Sequence, residues 1–205
     1  MNNSANVYHS GSQGWQKVFG TKGLADRQVD LLYHDEVTAE EKKFIESRDM
    51  FFIATADDQG RPTCSYKGGP VGFVRVLDDR TIAFPDYDGN GMFLTVGNID
   101  LNNEVGLLFI DFESPHRLRV HGVATVSNDD KLIEEFEGAQ LVVRIQITEM
   151  FINCSRYIHH YKKVETSRFT PEPGKESPVP DWKYLEEVQD VLPLKDKARV
   201  IKKNI

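Results

Sequence analysis

Apolar and polar positions along the chain change period twice. Residues 38–48 carry Phe44 and Ile45 as an apolar stripe, and Thr38 stands three residues before Glu41. That is the pattern of a capping box, and it predicts a helix there. A shorter helix is predicted over 23–32. From residue 50 the period becomes that of strands. MFFIATA at 50–56 runs into Asp57-Asp58-Gln59-Gly60, a hairpin turn, and RPTCSYK at 61–67 pairs back. Gly68-Gly69-Pro70 ends that strand, 72–77 makes a third, Asp78-Asp79-Arg80 turns, and 81–84 makes a fourth, so a meander is predicted.

The breakers from Pro85 to Gly91 predict a loop, and the apolar spacing of 92–101 a helix. Strands follow at 105–112 (VGLLFIDF) and 117–126 (RLRVHGVATV), then a short acidic helix at 129–136 and a last strand at 141–148 (LVVRIQIT). Alternation puts Arg117, Arg119 and His121 on one face of their strand and Leu118 and Val120 on the other. Six or seven short antiparallel strands with few helices imply a mainly β fold, a small barrel with flanking helices, because closure removes exposed edges. The chain divides into an N-terminal extension with a short helix (1–37), the barrel domain (38–160) and a polar C-terminal segment (161–205). In the last, PEPGKESPVP at 171–180 predicts a linker, 182–191 a helix, and 195–205 a frayed end or a strap onto a neighbour.

Charge narrows the partners. Among 205 residues, 32 Asp and Glu against 25 Lys and Arg give a net charge of −7, which repels phosphate backbones and anionic lipid surfaces. Nucleic acid and membranes are therefore not expected as partners. The first residues, MNNSANVYHSGSQ, show no secretory pattern, which predicts a cytoplasmic protein. Cys64 and Cys154 have no disulfide or zinc spacing and read as buried fillers; no metal site is predicted.

Three segments carry chemistry. In RPTCSYKGG at 61–69, Thr63, Ser65 and Lys67 share one strand face ahead of two glycines, which suits either a phosphorylated planar ligand or a solvated edge. In FPDYDGNGMFLTVGN at 84–98 a glycine-rich turn opens a helix, so exposed N–H groups could meet a phosphate, while Asp86 and Asp88 oppose an anion and could instead cap the helix. The Arg117, Arg119 and His121 face is either solvated, paired with carboxylates, or an anion contact.

The run at 51–126, with GRPTCSYKGG, FPDYDGNGMF, NEVGLLFIDF, RLRVHG and the later NCSRYIH at 153–159, resembles the pyridoxamine 5'-phosphate oxidase-like, FMN-binding split-barrel family, in its predicted flavin-nucleotide-binding branch. The likeness covers most of residues 44–160. It implies a homodimer with FMN at the interface, acting on a small-molecule substrate or electron donor. Strand Pro62, Thr63, Cys64, Ser65, Tyr66 and Lys67 matches the one that lies along the isoalloxazine. Phe84 and Pro85 match the next flavin-contacting pair, and Arg117 matches a position that, in the family's dimer, contacts the flavin as a glutamine; Arg119 stands beside it. The family's phosphate-holding arginine and lysine align with Leu94 and Thr95, so the phosphate falls instead to Ser65, Lys67, Arg75, the Asn90 and Gly91 N–H groups and Asn98. The residues that hold a substrate phosphate have no match in 127–141. The resemblance thus implies an FMN-dependent oxidoreductase whose substrate is not a B6 phosphate; a flavin-binding protein that carries electrons or senses, without a substrate, is the alternative.

Overall fold

The computed structural model describes residues 7–203. The chain forms two compact units, Met1–Lys162 and Lys163–Ile205. The first opens with helices α1 (Ser10–Phe19), α2 (Lys22–Leu32) and α3 (Ala39–Glu46) and continues through β1 (Met50–Ala56), β2 (Pro62–Gly68), β3 (Arg75–Asp78), β4 (Thr81–Tyr87), α4 (Leu94–Leu101), β5 (Glu104–Asp111), β6 (His116–Ser127), a 3-10 turn (Lys131–Glu135) and β7 (Ala139–Ile152). The capping box is formed: Glu41 N–H donates to Thr38 Oγ1 at 3.2 Å, and Glu41 Oε2 accepts from Thr38 N–H at 3.0 Å.

All seven strands pair antiparallel in one sheet, in the order β2-β1-β5-β6-β7-β4-β3. β1 and β4 stand four places apart in that order, about 19 Å in a flat sheet. Yet the rings of Phe51 on β1 and Phe84 on β4 meet edge to face at 4.9 Å. The sheet therefore curls round a common core. Phe51 also packs on Phe73 and Phe109, and Ile53, Leu118, Val120, Ile145 and Met150 complete the filling, all buried. Leu118 and Val120 face inward and Arg117, Arg119 and His121 outward, as the alternation of β6 requires.

Several boundaries differ from the sequence pattern. Helix α1 is additional: His9 caps its start through the Ser12 N–H, and Gly20 at φ 66° closes its end onto the Gln16 and Lys17 carbonyls. β4 runs through Pro85 to Tyr87, where breakers predicted a loop. β3 pairs with β4 only as far as Ala83, so beyond it β4 is an edge strand, where proline is tolerated. β7 runs on to Ile152 because a register shift lies opposite His121 and Gly122: His121 faces Glu149 but Gly122 faces Ile147, leaving Thr148 as an extra residue. Ile147 and Met150 both enter the core as a result, and the simple alternation is lost. Cys64 and Cys154, expected to be buried, are exposed: Cys64 faces outward on the edge strand β2, and Cys154 lies in irregular chain just after β7.

In the second unit, 182–191 is not one helix. Leu185, extended at φ −65° and ψ 136°, separates two 3-10 turns, Asp181–Tyr184 and Glu186–Val188. The end, expected to fray or to strap onto a neighbour, forms helix α5 (Leu194–Lys203), anchored by the buried Lys183 ammonium on Asp196 Oδ1 at 2.9 Å. Residues 204–205 lie outside the described residues.

Candidate functional site

Strand β2 is the edge of the sheet and meets no other strand on its far side among the described residues. The Gly69 N–H donates to the Asp49 carbonyl at 3.0 Å and the Asp57 N–H to the Arg61 carbonyl at 3.1 Å. These bonds set the ladder, so Thr63, Ser65 and Lys67 exchange backbone bonds with β1, and the backbone groups of Cys64 and Tyr66 point to the outer edge of the sheet.

The side chains alternate too. Thr63, Ser65 and Lys67 face helix α4 and β4, as their spacing requires, whereas Cys64 and Tyr66, the latter 62% exposed, face outward. Tyr66 and Lys67 therefore line different surfaces. Along the seam between β2 and α4, Thr95 Oγ1 donates to Ser65 Oγ at 3.2 Å, and Asn98 Nδ2 donates to Thr55 Oγ1 at 2.9 Å and to Thr63 Oγ1 at 3.4 Å. Lys67 Nζ donates to Asp86 Oδ1 on β4 at 2.8 Å. The seam is thus hydroxyls and an amide, ending in an ammonium balanced by a carboxylate.

The start of α4 is shaped by backbone. Gly91 has φ 77° and Phe93, the N-cap, has φ 50°. Asn90 Oδ1 accepts the Met92 N–H at 3.0 Å, and no side chain caps the helix. Neither aspartate serves as a cap: Asp86 holds Lys67, and Asp88 accepts from Gln140 Nε2 at 2.9 Å. Between them Tyr87 is pushed up to about 12 by burial, so it stays a neutral phenol.

The other candidates are dispersed. Arg75 donates through Nη1 to Glu135 Oε2 at 2.5 Å and lies over the Phe136 ring at 4.2 Å, on the side of β3. It does not join the seam. Phe84 is a core residue and Pro85 is buried beside it, so neither presents a face to a ligand from inside the sheet. Pro62 is exposed at the start of the edge strand. On the outer face, Arg119 bonds Asn153 and stacks on Phe151 at 5.8 Å. Arg117 differs, since its Nε is a buried donor without a hydrogen-bond partner.

The donor set of this seam fits a polyhydroxylated chain beside a flat ring laid along the strand edge. A family model described as pyridoxamine 5'-phosphate oxidase matches residues 37–159, more than half of the chain. The chain belongs to the pyridoxamine 5'-phosphate oxidase family. Its curled seven-stranded sheet is the split barrel of that family. No curated protein matches it. Among solved structures, a Lactobacillus delbrueckii protein named for pyridoxamine 5'-phosphate oxidase is 24% identical, with 58% of this chain and 95% of that one covered at a TM-score of 0.47. HupZ of Group A Streptococcus is 22% identical over 57% of this chain and 93% of its own, with a TM-score of 0.48. An FMN-binding protein of Syntrophomonas wolfei is 11% identical over 69% and 98%, at 0.44.

Three residues of the seam escaped sequence reasoning. Thr55 lies on a strand read only for its apolar positions, and Thr95 is set aside because it stands where the family has a phosphate-holding cation, not read as the partner of Ser65. Asp86 was legible as a charge but not as the partner of Lys67, 19 residues away. Glu149 on the outer face was hidden by the irregularity in β7.

Proposed function

We propose that this member of the pyridoxamine 5'-phosphate oxidase family is an FMN-dependent oxidoreductase that works in the cytoplasm as a homodimer and does not act on a B6 phosphate. The observation that carries the reading is the edge strand β2. Its outer backbone edge, at Cys64 and Tyr66, offers a straight row of amide groups to the heteroatom edge of an isoalloxazine. Its inner face, Thr63, Ser65 and Lys67, offers hydroxyls and an ammonium to the ribityl phosphate. Asn98, Thr95 and the N–H groups at the start of α4 extend that cradle.

When bound, the flavin supplies the electron transfer, and the protein binds, orients and tunes it. Lys67 and Asp86 together carry no net charge, so the seam neutralises a phosphate only partly. Arg117, half-buried on the outer face of β6, would be met by a second copy docked on that face. The half-buried Phe52 and Leu108 beside the exposed Tyr66 give the same outer face the apolar character of an interface. Among the described residues no helix is long and apolar enough to cross a membrane.

The test is the spectrum of the purified protein. A yellow protein that releases FMN on denaturation, with a mass by light scattering of twice 23.4 kDa, is expected. A colourless protein that takes up no added FMN overturns the reading.

A further inference from the structure

Helix α1 is amphipathic in the inverse sense. Its one buried side chain is polar, Gln16 at 9% exposure, with Ser12 partly covered one turn before it. Trp15, Val18 and Phe19, at i, i+3 and i+4, are 68%, 69% and 73% exposed, and the Trp15 and Phe19 rings stack on each other at 6.3 Å. A surface helix ordinarily turns such a stripe to the core. Helix α2 does bury Val29 on its inner side, yet Leu24 and Leu31, two turns apart, face solvent.

The two helices form a hairpin, with the Tyr8 hydroxyl donating to the Ala25 carbonyl at 3.1 Å, and the hairpin is fixed to the β7 border of the outer sheet face. Tyr33, which ends α2, stacks flat on Phe151 at 4.1 Å, and the His34 backbone pairs with Met150. Val29 of α2 and Thr148 and Glu149 of β7 line a common cavity there. At the other border of the same face, four strand spacings or about 19 Å away, Tyr66 on β2 is exposed, with Phe52 and Leu108 half-buried beside it. One face therefore carries a raised apolar hairpin at one border and an open apolar floor at the other. The family model begins at residue 37, so the hairpin is no part of the matched barrel.

We propose that the hairpin docks on a second copy of the chain, where Trp15, Val18 and Phe19 of each copy cover Tyr66, Phe52 and Leu108 of the other. A two-fold axis parallel to the strands exchanges the two borders of the face, so the raised border of one copy meets the open border of the other, and the contact is made twice. A second copy fits better than a foreign protein because both halves of the contact are present on this chain, and the stripe continues the outer face that the homodimer reading uses. The area is sufficient: Trp15, Phe19 and Tyr66 are about two-thirds exposed, and at about 150–250 Å² each they contribute roughly 300–500 Å² of the ~800 Å² per partner of a stable interface. Val18, Leu24 and Leu31 add to it. The inference rests on the homodimer reading and names the surfaces that form it; it does not need the flavin.

The test is association of the full-length protein, followed by sedimentation velocity. V18E/F19E alters two side chains that meet solvent and no core, so its circular dichroism should match the wild type while its dimer dissociation constant rises at least tenfold. The contact itself is read by cross-linking. C154S/F19C leaves thiols at residue 19 and at Cys64, which faces outward on β2 beside Tyr66. A short bismaleimide is applied to a mixture of isotope-labelled and unlabelled protein. Linked peptides joining residue 19 to Cys64 should include pairs labelled on one side only, which come from two copies. An unchanged dissociation constant in V18E/F19E, as expected if the stripe serves another protein, overturns the proposal. So do links confined to one copy, or no such link in a dimer. Released FMN is measured in the same preparations. A yellow dimer untouched by V18E/F19E sinks this inference alone, a colourless dimer weakened by it sinks the flavin reading alone, and a monomeric wild type sinks the homodimer and this inference together.

Discussion

Lys67 on β2 donates to Asp86 on β4 at 2.8 Å, although the two strands are first and sixth in the sheet. Their side chains are only 19% and 15% exposed, so the pair is screened less than a surface ion pair and helps to hold the curled sheet together on the side of α4. It also means that the one ammonium of the seam is already matched.

That relationship sets the first prediction. D86N should release the ammonium toward an anionic ligand and tighten FMN binding about tenfold, roughly 1.4 kcal/mol. K67A leaves a half-buried carboxylate facing the phosphate and should weaken it by at least as much, while K67A/D86N should return close to the wild type. Fluorescence titration of the FMN-free protein closes this double-mutant cycle. Equal affinity in all four proteins would show that the phosphate does not reach the seam.

Two glycines give opposite expectations for stability. A Cβ on Gly122 would lie 2.4 Å from the Gln146 carbonyl oxygen and 2.6 Å from Ile145 Cγ2, in the part of β6 that faces the bulge. G122A should cost about 3 kcal/mol, the upper end for overpacking, because backbone cannot step aside. Gly97 in α4 has nothing within 4 Å of its Cβ position, so G97A should gain about 0.5 kcal/mol from a less flexible unfolded chain. Urea unfolding measures both; a neutral G122A would mean that the strand register at the bulge is different.

The acid limb of stability has a named contributor. The hydrogen bonds from Arg144 hold the Asp130 carboxyl below the usual carboxylate range, with Arg144 Nε at 2.5 Å and Nη2 at 2.9 Å. A carboxylate depressed in the folded state adds stability that is complete above its unfolded value of about 4 and disappears as pH falls through the lower folded value. R144M should therefore lower stability at neutral pH and flatten its fall between pH 4 and the folded value. Urea midpoints across that window decide it, and parallel curves for the two proteins would exclude the pair as a cause.

Much of this was legible in the chain. The capping box at Thr38 and Glu41, the 50–67 hairpin and the alternation of 117–126 are local patterns, and each appears in the structure where its spacing puts it. The shared face of Thr63, Ser65 and Lys67 is likewise a consequence of a period of two. What the pattern could not carry was pairing at a distance. Arg75 looked available for a phosphate, but its partner Glu135 is 60 residues away. The continuation of β4 through Pro85 depends on where β3 stops, and the meeting of His121 with Glu149 depends on one extra residue in another strand.

The same distant pairing decides the substrate question. The segment after β6, where a substrate phosphate would need cations, forms an acidic 3-10 turn with Asp129, Asp130, Glu134 and Glu135 close in sequence. The two arginines that reach it, Arg75 and Arg144, are taken up by Glu135 and Asp130. A phosphate dianion brought there would have to displace carboxylates from both guanidinium groups, and each charge-assisted bond it fails to make costs about 1.5–3 kcal/mol. Two such losses amount to a factor of hundreds in binding. The FMN-loaded protein is accordingly expected to show no turnover of pyridoxine or pyridoxamine 5'-phosphate under oxygen, beside a parallel assay of flavin reduction by NADH and NADPH. Turnover of either B6 ester at about 1 per second, the ordinary range for an enzyme, would overturn this account of the turn; E135Q, which frees Arg75, should move affinity for the ester upward even where the wild type shows none.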